Sequence, residues 1–332
     1  MHTLPPIAIS LGDPTGIGPE VTLKALAARP HVRACIYGDA KTLAETAARL
    51  GLPMPASVEA VGPAGPFPPG TPSAASGQAQ IAALEAAVDA VLSHKASALV
   101  TAPIHKASAH AAGFAFPGHT EYLATRAGAR RWAMMFATPA SDSLRVVLTT
   151  IHVPLAEVPR LLTSELVADA IVLCVTALVR DFGVTTPRIA VCGLNPHASE
   201  QGAFGHEEQT AIQPGMEGAL EELRSLGHRA TLFGPEVPDA VFRLAVQGAY
   251  DAVVAQYHDQ GLIPFKLRHF HDGVNITLGL PFVRTSPDHG TAHDIAGSGR
   301  ADARSMVAAL DLAVSMSRRR REISGAMSGE SV

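Results

Sequence analysis

The sequence predicts an α/β fold with mainly parallel sheets over its 332 residues. Short apolar runs alternate with longer amphipathic stretches, which is typical of strands joined by helices. Several of the apolar runs are followed by loops rich in glycine, proline and polar residues, where the carboxyl ends of parallel strands form binding sites. An apolar share of 47% can fill a sizeable core, so a wholly disordered chain is excluded.

The first predicted strand, Ile7–Leu11, ends in a Gly/Pro loop, and Pro19 suits the first turn of the helix that follows to about Ala28. Residues 52–76 are rich in Pro, Gly, Ala and Ser, which predicts a surface excursion and no core element. The other elements expected in this part of the chain are strands at 34–37 and 98–101 and helices near 41–50 and 78–93.

The remaining two thirds of the chain continue the alternation. Residues 133–136 and 144–148 are expected to be neighbouring strands around a turn at 141–143. The last helix, 303–316, is followed by Arg318–Arg321, which we interpret as a solvated helix end. The other elements expected here are strands at 189–192 and 252–255 and helices at 163–181 and 207–226.

Charge and composition exclude several classes of protein. The net charge of −4 provides no positive field for nucleic acid or anionic lipid. No apolar run approaches the roughly 18 to 20 residues that cross a bilayer, and the N-terminus is unlike a signal peptide. Cys35, Cys174 and Cys192 are odd in number and lie in apolar runs, so we expect buried free thiols in a reducing, cytoplasmic compartment.

Four segments after predicted strands combine turn formers with functional residue types. Gly12–Glu20 is glycine-rich but is neither a dinucleotide fingerprint nor a Walker A loop, so a phosphate loop and a plain strand-to-helix turn both stay open. His119 and Thr120 stand where a helix begins, and free backbone N–H groups there bind anions. The alternative is a Thr N-cap with His as a neighbour. Lys266 and Arg284, with Asn275 nearby, could hold a carboxylate and a phosphate, or each could be a surface cation.

Three histidines, His152, His197 and His258, follow predicted strands at corresponding positions. Imidazole is a good ligand for divalent transition metals, and three protein ligands leave a position open for substrate. A lone histidine is more often structural, and the spacing alone does not prove a metal. Acidic residues that could contact such ligands are Asp259, Asp239 and Glu200.

Five segments, taken in order along the chain, carry a family resemblance: Gly12–Glu20, Gly118–Glu121, Leu194–Ala198, Tyr257–Gly261 and Gly273–Pro281. Together they resemble the 4-hydroxythreonine-4-phosphate dehydrogenase family of vitamin B6 biosynthesis, over nearly the whole chain. His289–Gly297 is also similar to the cofactor loop of isocitrate and isopropylmalate dehydrogenases. The resemblance implies two α/β/α domains flanking a cleft, an outer one formed by 1–125 plus 285–332 and a central one at 126–284 that holds the metal ligands and the dimer interface.

The resemblance also implies roles for single residues. The three histidines would bind one divalent metal (Zn, Mg or Co) in an active site shared between the subunits of a homodimer. NAD or NADP would bind without a Rossmann fingerprint. The proton acceptor would be Lys266, Asp259 or a metal-bound water. The residues implied in binding are His119, Thr120, Lys266, Asn275 and Arg284 for the substrate, and Asp288, His289, Gly290, Thr291 and Asp294 for the cofactor.

The implied reaction oxidises 4-phosphohydroxy-L-threonine to 2-amino-3-oxo-4-(phosphohydroxy)butanoate, which decarboxylates to 3-amino-2-oxopropyl phosphate. Two stretches depart from the family pattern: Thr150-Ile151-His152, where a second Thr is expected directly before the His, and Ala198-Ser199-Glu200, where Gly is expected in place of Ser199. The alternatives are paralogues acting on D-threonate or D-erythronate 4-phosphate or on a cyclic dihydrodiol dicarboxylate. Two other classes, a metallohydrolase and a ligand-binding protein, would lack nicotinamide reduction.

Overall fold

Eleven strands hydrogen-bond into one sheet in the computed structural model, which describes residues 4–140 and 144–327. The strands are β1 (Ile7–Ser10), β2 (Ala34–Gly38), β3 (Val58–Ala60), β4 (Ala98–Thr101), β5 (Ala133–Ala137), β6 (Val146–Leu148), β7 (Arg188–Cys192), β8 (Thr231–Glu236), β9 (Ala252–Ala255), β10 (Val274–Leu278) and β11 (Val283–Pro287). The helices are α1 (Gly18–Ala28), α2 (Ala40–Leu50), α3 (Ala74–Leu92), α4 (Lys106–Ala111), α5 (His119–Ala127), α6 (Val158–Leu161), α7 (Ser164–Ala177), α8 (Gln213–Ser225), α9 (Pro238–Val246), α10 (His258–His269) and α11 (Arg304–Met327).

The strand order is β3-β2-β1-β4-β11-β10-β5-β6-β9-β7-β8. Pairing is parallel from β3 to β11 and again from β6 to β8. The strands β10 and β5 lie between these two sets and pair antiparallel with their neighbours. The prediction of a mainly parallel α/β sheet is therefore confirmed, and β10 and β11 bring residues 274–287 to the middle of the sheet.

Both faces of the sheet are covered, because successive residues of a strand point to opposite faces. In β1, Ile7 and Ile9 join one core cluster, while Ala8 joins a second cluster on the other side. In β7, Ile189 and Val191 belong to the first cluster, and Ala190 and Cys192, which alternate with them, belong to a third. This burial on both faces explains why the central strands read as continuous apolar runs in the sequence.

Most predicted elements are found close to their predicted bounds, and three expectations need correction. The segment 52–76 contains the short strand β3 and the buried Phe67, so it is not only a surface excursion. The last helix continues to Met327, past the arginine run. Arg320 is not solvated, because its guanidinium pairs with the buried Asp181 at 2.6 Å. The predicted turn at 141–143 lies outside the described residues.

Several elements near the site had no clear sequence signal. Helix α10 has no clear helical signal, because it opens with His258–Gly261 and contains Pro264, which interrupt the periodicity of apolar residues. Strand β10 alternates polar and apolar residues, and β11 contains a buried arginine, so neither reads as an apolar run. Their position in the sheet comes from long-range pairing, which local patterns do not report.

The three cysteines are free and buried, which confirms the expectation for their thiols. Within residues 4–140 and 144–327, no single helix has both the length and the apolar composition to cross a membrane. One pair of helices joined at a bend, Leu155–Leu161 with Ser164–Phe182, meets both criteria when the two are taken together.

Candidate functional site

A buried arginine on β11 forms the centre of the first half of the site. The Arg284 side chain donates hydrogen bonds to Thr277 Oγ1 at 2.9 Å and to Thr101 Oγ1 at 2.8 Å. One of its terminal nitrogens lies 3.3 Å from His119 Nδ1. Strand pairing dictates this grouping, since β11 lies between β4, which ends in Thr101, and β10, which carries Thr277. His119 is the first residue of α5.

No carboxylate among the described residues forms an ion pair with the Arg284 guanidinium, and its Nε has no hydrogen-bond partner there. Burial lowers the pKa of Arg284 to about 10, and Glu121 acts on it only at longer range. His119 Nε2 is also sealed from solvent without a partner. Burial, then Arg284 and Lys106, lower the pKa of His119, so this imidazole is neutral at pH 7. A buried cation without a counter-charge, beside unpaired polar atoms, favours an anionic ligand.

Thr120 and Asn275 lie on the elements that carry His119 and Thr277. The N-cap of α5 is Gly118, which supplies no side-chain cap, and Thr120 lies buried inside the helix. The Thr N-cap alternative is therefore wrong, and the first backbone N–H groups of α5 have no side chain that caps them. Asn275 lies two residues before Thr277 on β10 and so faces the same side of the sheet. Its Oδ1 is buried without a partner.

Lys266 lies on α10 and is held near the carboxyl end of β11. Its Nζ is 3.2 Å from an Asp288 carboxylate oxygen. Burial raises the pKa of Asp288, and the positive charge of Lys266 opposes that rise. The Asp288 side chain therefore contacts Lys266, although the sequence analysis assigned Asp288 to the cofactor loop. The backbone N–H of Asp288 is fixed by a hydrogen bond to Ser305 Oγ.

Two of the three predicted metal ligands meet within one chain. The rings of His152 and His258 lie 5.7 Å apart in a cleft lined by Leu155, Val158 and Tyr257. His258 Nδ1 is 2.7 Å from Asp259 Oδ1, which leaves Nε2 of that ring for a ligand. Burial, then the charges of Lys106 and His258, lower the pKa of His152. The His152 ring is therefore neutral at pH 7, which is the metal-binding form of imidazole.

Lys106 connects the two halves of the site, and the sequence reasoning did not single it out. Its charge lowers the pKa of both His119 and His152. Its Nζ lies 4.0 Å from the position that a Cβ on Gly118 would occupy. The available signal was the polar segment Ile104-His105-Lys106 just after β4, since loops at strand ends carry function. Thr101 and Thr277, which hold Arg284, were missed because threonine in a strand has no functional signature.

The third predicted ligand, His197, lies on a separate turn after β7. It is exposed and packs only loosely against Phe204, with 6.2 Å between ring centroids. In the part of the chain that the structure describes, no three His, Cys, Asp or Glu side chains form a group that could hold a metal. Five consecutive non-glycine residues, His197 to Gln201, have φ between 44° and 68°.

We expect Ser199→Gly to stabilise the protein, because Ser199 is buried in this left-handed turn with φ 68°. A left-handed L-residue costs about 1–2 kcal/mol, and glycine avoids that cost at the expense of about 0.5–1 kcal/mol of backbone entropy. The weak bond from Gly202 N to Ser199 Oγ, 3.3 Å long, is lost. Thermal denaturation should show Tm about 1–2 °C higher. Ser225→Gly, at the end of α8, should lower it, and a fall in both variants would contradict the strain argument.

The glycine-rich segment after β1 packs against the predicted cofactor loop, His289–Gly297, and forms hydrogen bonds with it. Asp13 is fully buried, binds the Thr15 backbone N–H through Oδ1, and lies 2.9 Å from His293 Nε2 through Oδ2. Ile17 N donates to Thr291 O at 2.9 Å. Gly16 is required here, since a Cβ would lie 2.9 Å from the same carbonyl oxygen. Residues 12–20 thus form a strand-to-helix turn whose side chains fix the loop after β11.

The other residues of the predicted cofactor set are accessible. Gly290 and Asp294 are exposed, and His289 Nδ1 lies 3.0 Å from Gly290 O. His289 Nε2 is buried without a partner. The carboxylate of Glu20 binds the N–H groups of Gly299 and Ala301 at 3.2 and 2.8 Å, which anchors the far end of the loop. The loop is thus held at both ends and open in between.

Comparisons with known proteins match nearly the whole chain. The family described as pyridoxal phosphate biosynthetic protein PdxA matches residues 22–313. A 4-hydroxythreonine-4-phosphate dehydrogenase of Desulfosudis oleivorans is 47% identical, covering 95% of this chain and 96% of its own. The crystal structure of that enzyme from Klebsiella pneumoniae is 37% identical with a TM-score of 0.81, covering 94% of this chain and 99% of that chain.

A more distant relative acts on a different class of diol. The crystal structure of a terephthalate 1,2-cis-dihydrodiol dehydrogenase from Burkholderia xenovorans is 29% identical to this chain, with a TM-score of 0.67 and coverage of 94% and 98%. The matches to the 4-hydroxythreonine-4-phosphate dehydrogenases have similar coverage but higher identity and a higher TM-score. The chain belongs to the PdxA family of 4-hydroxythreonine-4-phosphate dehydrogenases.

Proposed function

We propose that this chain oxidises the 3-hydroxyl of 4-phosphohydroxy-L-threonine with NAD or NADP in pyridoxine 5'-phosphate biosynthesis. The product, 2-amino-3-oxo-4-(phosphohydroxy)butanoate, then loses CO2 to give 3-amino-2-oxopropyl phosphate. The observation that carries the proposal is the buried Arg284, which has no acidic partner among the described residues and lies against unpaired polar atoms. A phosphorylated substrate supplies the missing negative charge.

The anionic groups of the substrate are bound by the pocket around Arg284. Arginine suits a phosphate or carboxylate because its planar fork donates two parallel hydrogen bonds. His119 is neutral there and donates one N–H, and the N-terminus of α5 adds backbone donors. Asn275 offers both a donor and an acceptor to the hydroxyl or amino groups of the substrate. Thr120 is buried in the first turn of α5, directly after His119.

One divalent metal fits the histidines. His152 and His258 are 5.7 Å apart between ring centroids, and Asp259 fixes the tautomer of His258 so that its Nε2 faces outward. His197 of a second copy would complete the set, since in its own chain it lies exposed on another turn. A bound divalent metal acts as a Lewis acid toward the substrate alcohol. Zn, Co and Mg are candidates, and the nitrogen donors favour the transition metals.

The proton and the cofactor are assigned to the residues that adjoin this pair. Lys266 takes the proton of the alcohol as the neutral amine, after its ammonium proton has passed to the Asp288 carboxylate 3.2 Å away. Asp259 is committed to His258 and is the weaker candidate. The loop with His289, Gly290, Thr291 and Asp294 would hold the nicotinamide cofactor, which would supply the hydride acceptor. Asp13 and Glu20 fix that loop through hydrogen bonds to His293 and to the Ala301 N–H.

The active enzyme is a homodimer in this proposal. Helix α10 and its C-cap residue present three large apolar side chains on one face, Ile263, Leu267 and Phe270, which are 66%, 88% and 73% exposed. Spacings of four and three residues place them in one stripe. Leu155, beside His152, is 66% exposed as well. This apolar stripe lies on the helix that carries His258 and Lys266, and we infer that a second copy of the chain covers it. The site within one chain lacks only His197, which the second copy would supply.

Leu267→Asp is expected to convert the dimer to monomer and to reduce turnover at least a hundredfold. The charge would be buried at the interface, where an unpaired carboxylate costs several kcal/mol. Sedimentation velocity and the dehydrogenase assay measure the two effects together. Leu226→Asp is the matched control, because Leu226 is 53% exposed but lies at the end of α8. A monomer that retains full activity would contradict the shared site.

A substrate panel tests the reaction. We expect NAD(P)H formation with 4-phosphohydroxy-L-threonine to exceed that with D-threonate and D-erythronate 4-phosphate, and chelation of the metal to abolish it. The panel should include a cis-dihydrodiol dicarboxylate, because one structural relative acts on a cis-dihydrodiol. Ser199 also departs from the glycine expected in the family pattern, which favours testing the four-carbon acid phosphates. Phosphate release without nicotinamide reduction would instead indicate a hydrolase.

A further inference from the structure

The buried carboxylate of Glu208 accepts hydrogen bonds from the residues just before the turn that carries His197. Glu208 is 2% exposed, and its Oε1 accepts hydrogen bonds from the backbone N–H groups of Leu194 and Asn195, both at 2.7 Å. Its Oε2 accepts from Asn195 Nδ2 at 3.0 Å. One carboxylate therefore fixes the two peptide units that lead directly into Pro196 and His197.

This support matters because the turn adopts a conformation that L-residues avoid. His197, Ala198, Ser199, Glu200 and Gln201 all have positive φ. Such backbone persists only where the surroundings over-determine it. On the far side, the N–H groups of Gly202 and Phe204 donate to Ser199 O at 3.1 Å, which closes the turn. On the near side, the anchor is Glu208.

The turn leaves the His197 ring free to reach outward. The ring is exposed and has no hydrogen-bond partner among residues 4–140 and 144–327, where Phe204 is its aromatic neighbour. Metal ligands usually have their orientation set by neighbouring hydrogen bonds to the ring. In this turn the backbone beneath the ring provides that orientation.

We propose that Glu208 is a positioning residue for His197: its carboxylate holds the left-handed turn so that the imidazole is presented to the His152–His258 pair of the second copy. This inference rests on the proposed metal site. Glu208 itself touches neither metal nor substrate. It is an acidic residue 11 positions after His197, on the π-helical turn that precedes α8.

The test compares Glu208→Gln with Glu207→Gln in the dimeric protein, with Co²⁺ as the probe. Glutamine at 208 places an NH2 group against the Asn195 amide, so one of the three donors loses its acceptor. Glutamine at 207 keeps an oxygen for Asn195 Nδ2, which Glu207 accepts at 2.7 Å, and removes the same charge. Titration of the metal-free protein should show about tenfold to a hundredfold weaker Co²⁺ binding for Glu208→Gln and less than about threefold for Glu207→Gln.

Hydrogen exchange of the amides at 194 and 195 in metal-free protein is the second readout, and it should accelerate only in Glu208→Gln. If that variant does not fold, Asn195→Ala, which removes the bridging amide, should weaken Co²⁺ binding in the same direction. Equal losses in both Gln variants, or unchanged Co²⁺ binding in Glu208→Gln, would overturn the inference. His197→Ala separates the two proposals: if it binds Co²⁺ like wild type, the metal site itself is wrong, whereas a loss there with none in Glu208→Gln rejects the positioning role alone.

Discussion

Arg284→Met should reduce kcat/KM at least about a hundredfold, which corresponds to about 3 kcal/mol of lost transition-state stabilisation. The reason is that this guanidinium is the buried cation of the anion pocket, and a substrate phosphate or carboxylate would replace its missing counter-charge. Steady-state kinetics with varied substrate concentration measure the effect, which we expect mainly in KM if the contact is made equally in the ground state.

The same substitution should change stability little. Since the folded protein holds the pKa of Arg284 near 10, below its unfolded value, the charged form opposes folding at all pH values below about 10, and removal of the charge relieves that cost. The lost bonds to Thr101 and Thr277 act in the other direction. The two effects have similar size, so Tm should stay within a few degrees of wild type.

Arg320→Met provides the opposite pattern and is the matched control. Arg320 is also an arginine largely shielded from solvent, with its side chain 18% exposed, but it pairs with the buried Asp181 at 2.6 and 2.9 Å. Its removal leaves a buried carboxylate with less compensation, which typically costs about 3–5 kcal/mol. We expect a clear fall in Tm with kcat/KM nearly unchanged in the folded enzyme. If Arg284→Met instead lost stability and kept activity, the pocket around it would be structural.

Much of the fold was predictable because the buried strands of a doubly covered sheet read as apolar runs. Strands such as β1, β4 and β9 satisfy that rule and lie where expected. The rule fails where a strand contributes to the site. Strand β11 contains Arg284 in a buried position, and β10 contains Asn275, so local hydropathy contradicts the tertiary placement there. Local sequence patterns therefore did not predict β10 and β11, which carry residues of the candidate site. Those residues were identified only through the family resemblance.

The site shows a similar division between residue identity and geometry. The motifs named His119, Arg284 and the histidine pair, and the structure brings these together as two neighbouring half-sites. No motif indicated that Asp288 turns toward Lys266 or that Lys106 acts on both halves. Such relations depend on how α4, α10 and the end of β11 approach one another in space. They are distances between elements, which a one-dimensional pattern does not contain.

If each metal site combines histidines from both subunits, two inactive histidine variants should restore activity when they are mixed. His197→Ala and His258→Ala should each be inactive alone, because each homodimer lacks one ligand at both sites. When the two inactive proteins are mixed and allowed to exchange subunits, each heterodimer has one site with all three histidines intact and one site without His197 and His258. Random exchange makes half of the dimers mixed, so activity should return to about a quarter of the wild-type level.

The pair His152→Ala and His258→Ala is the decisive control. Because these two rings meet within one chain, 5.7 Å apart, every site in their heterodimer lacks one ligand, and mixing should restore no activity. If activity returns in this control and not in the first mixture, His152 and His258 of one chain belong to two different metal sites. That outcome would contradict the arrangement proposed here. Recovery in neither mixture, after subunit exchange has been confirmed with labelled protein, would place all three ligands in a single chain. Each outcome thus identifies which chain supplies His197, because complementation requires the intact ligands of one site to come from different subunits.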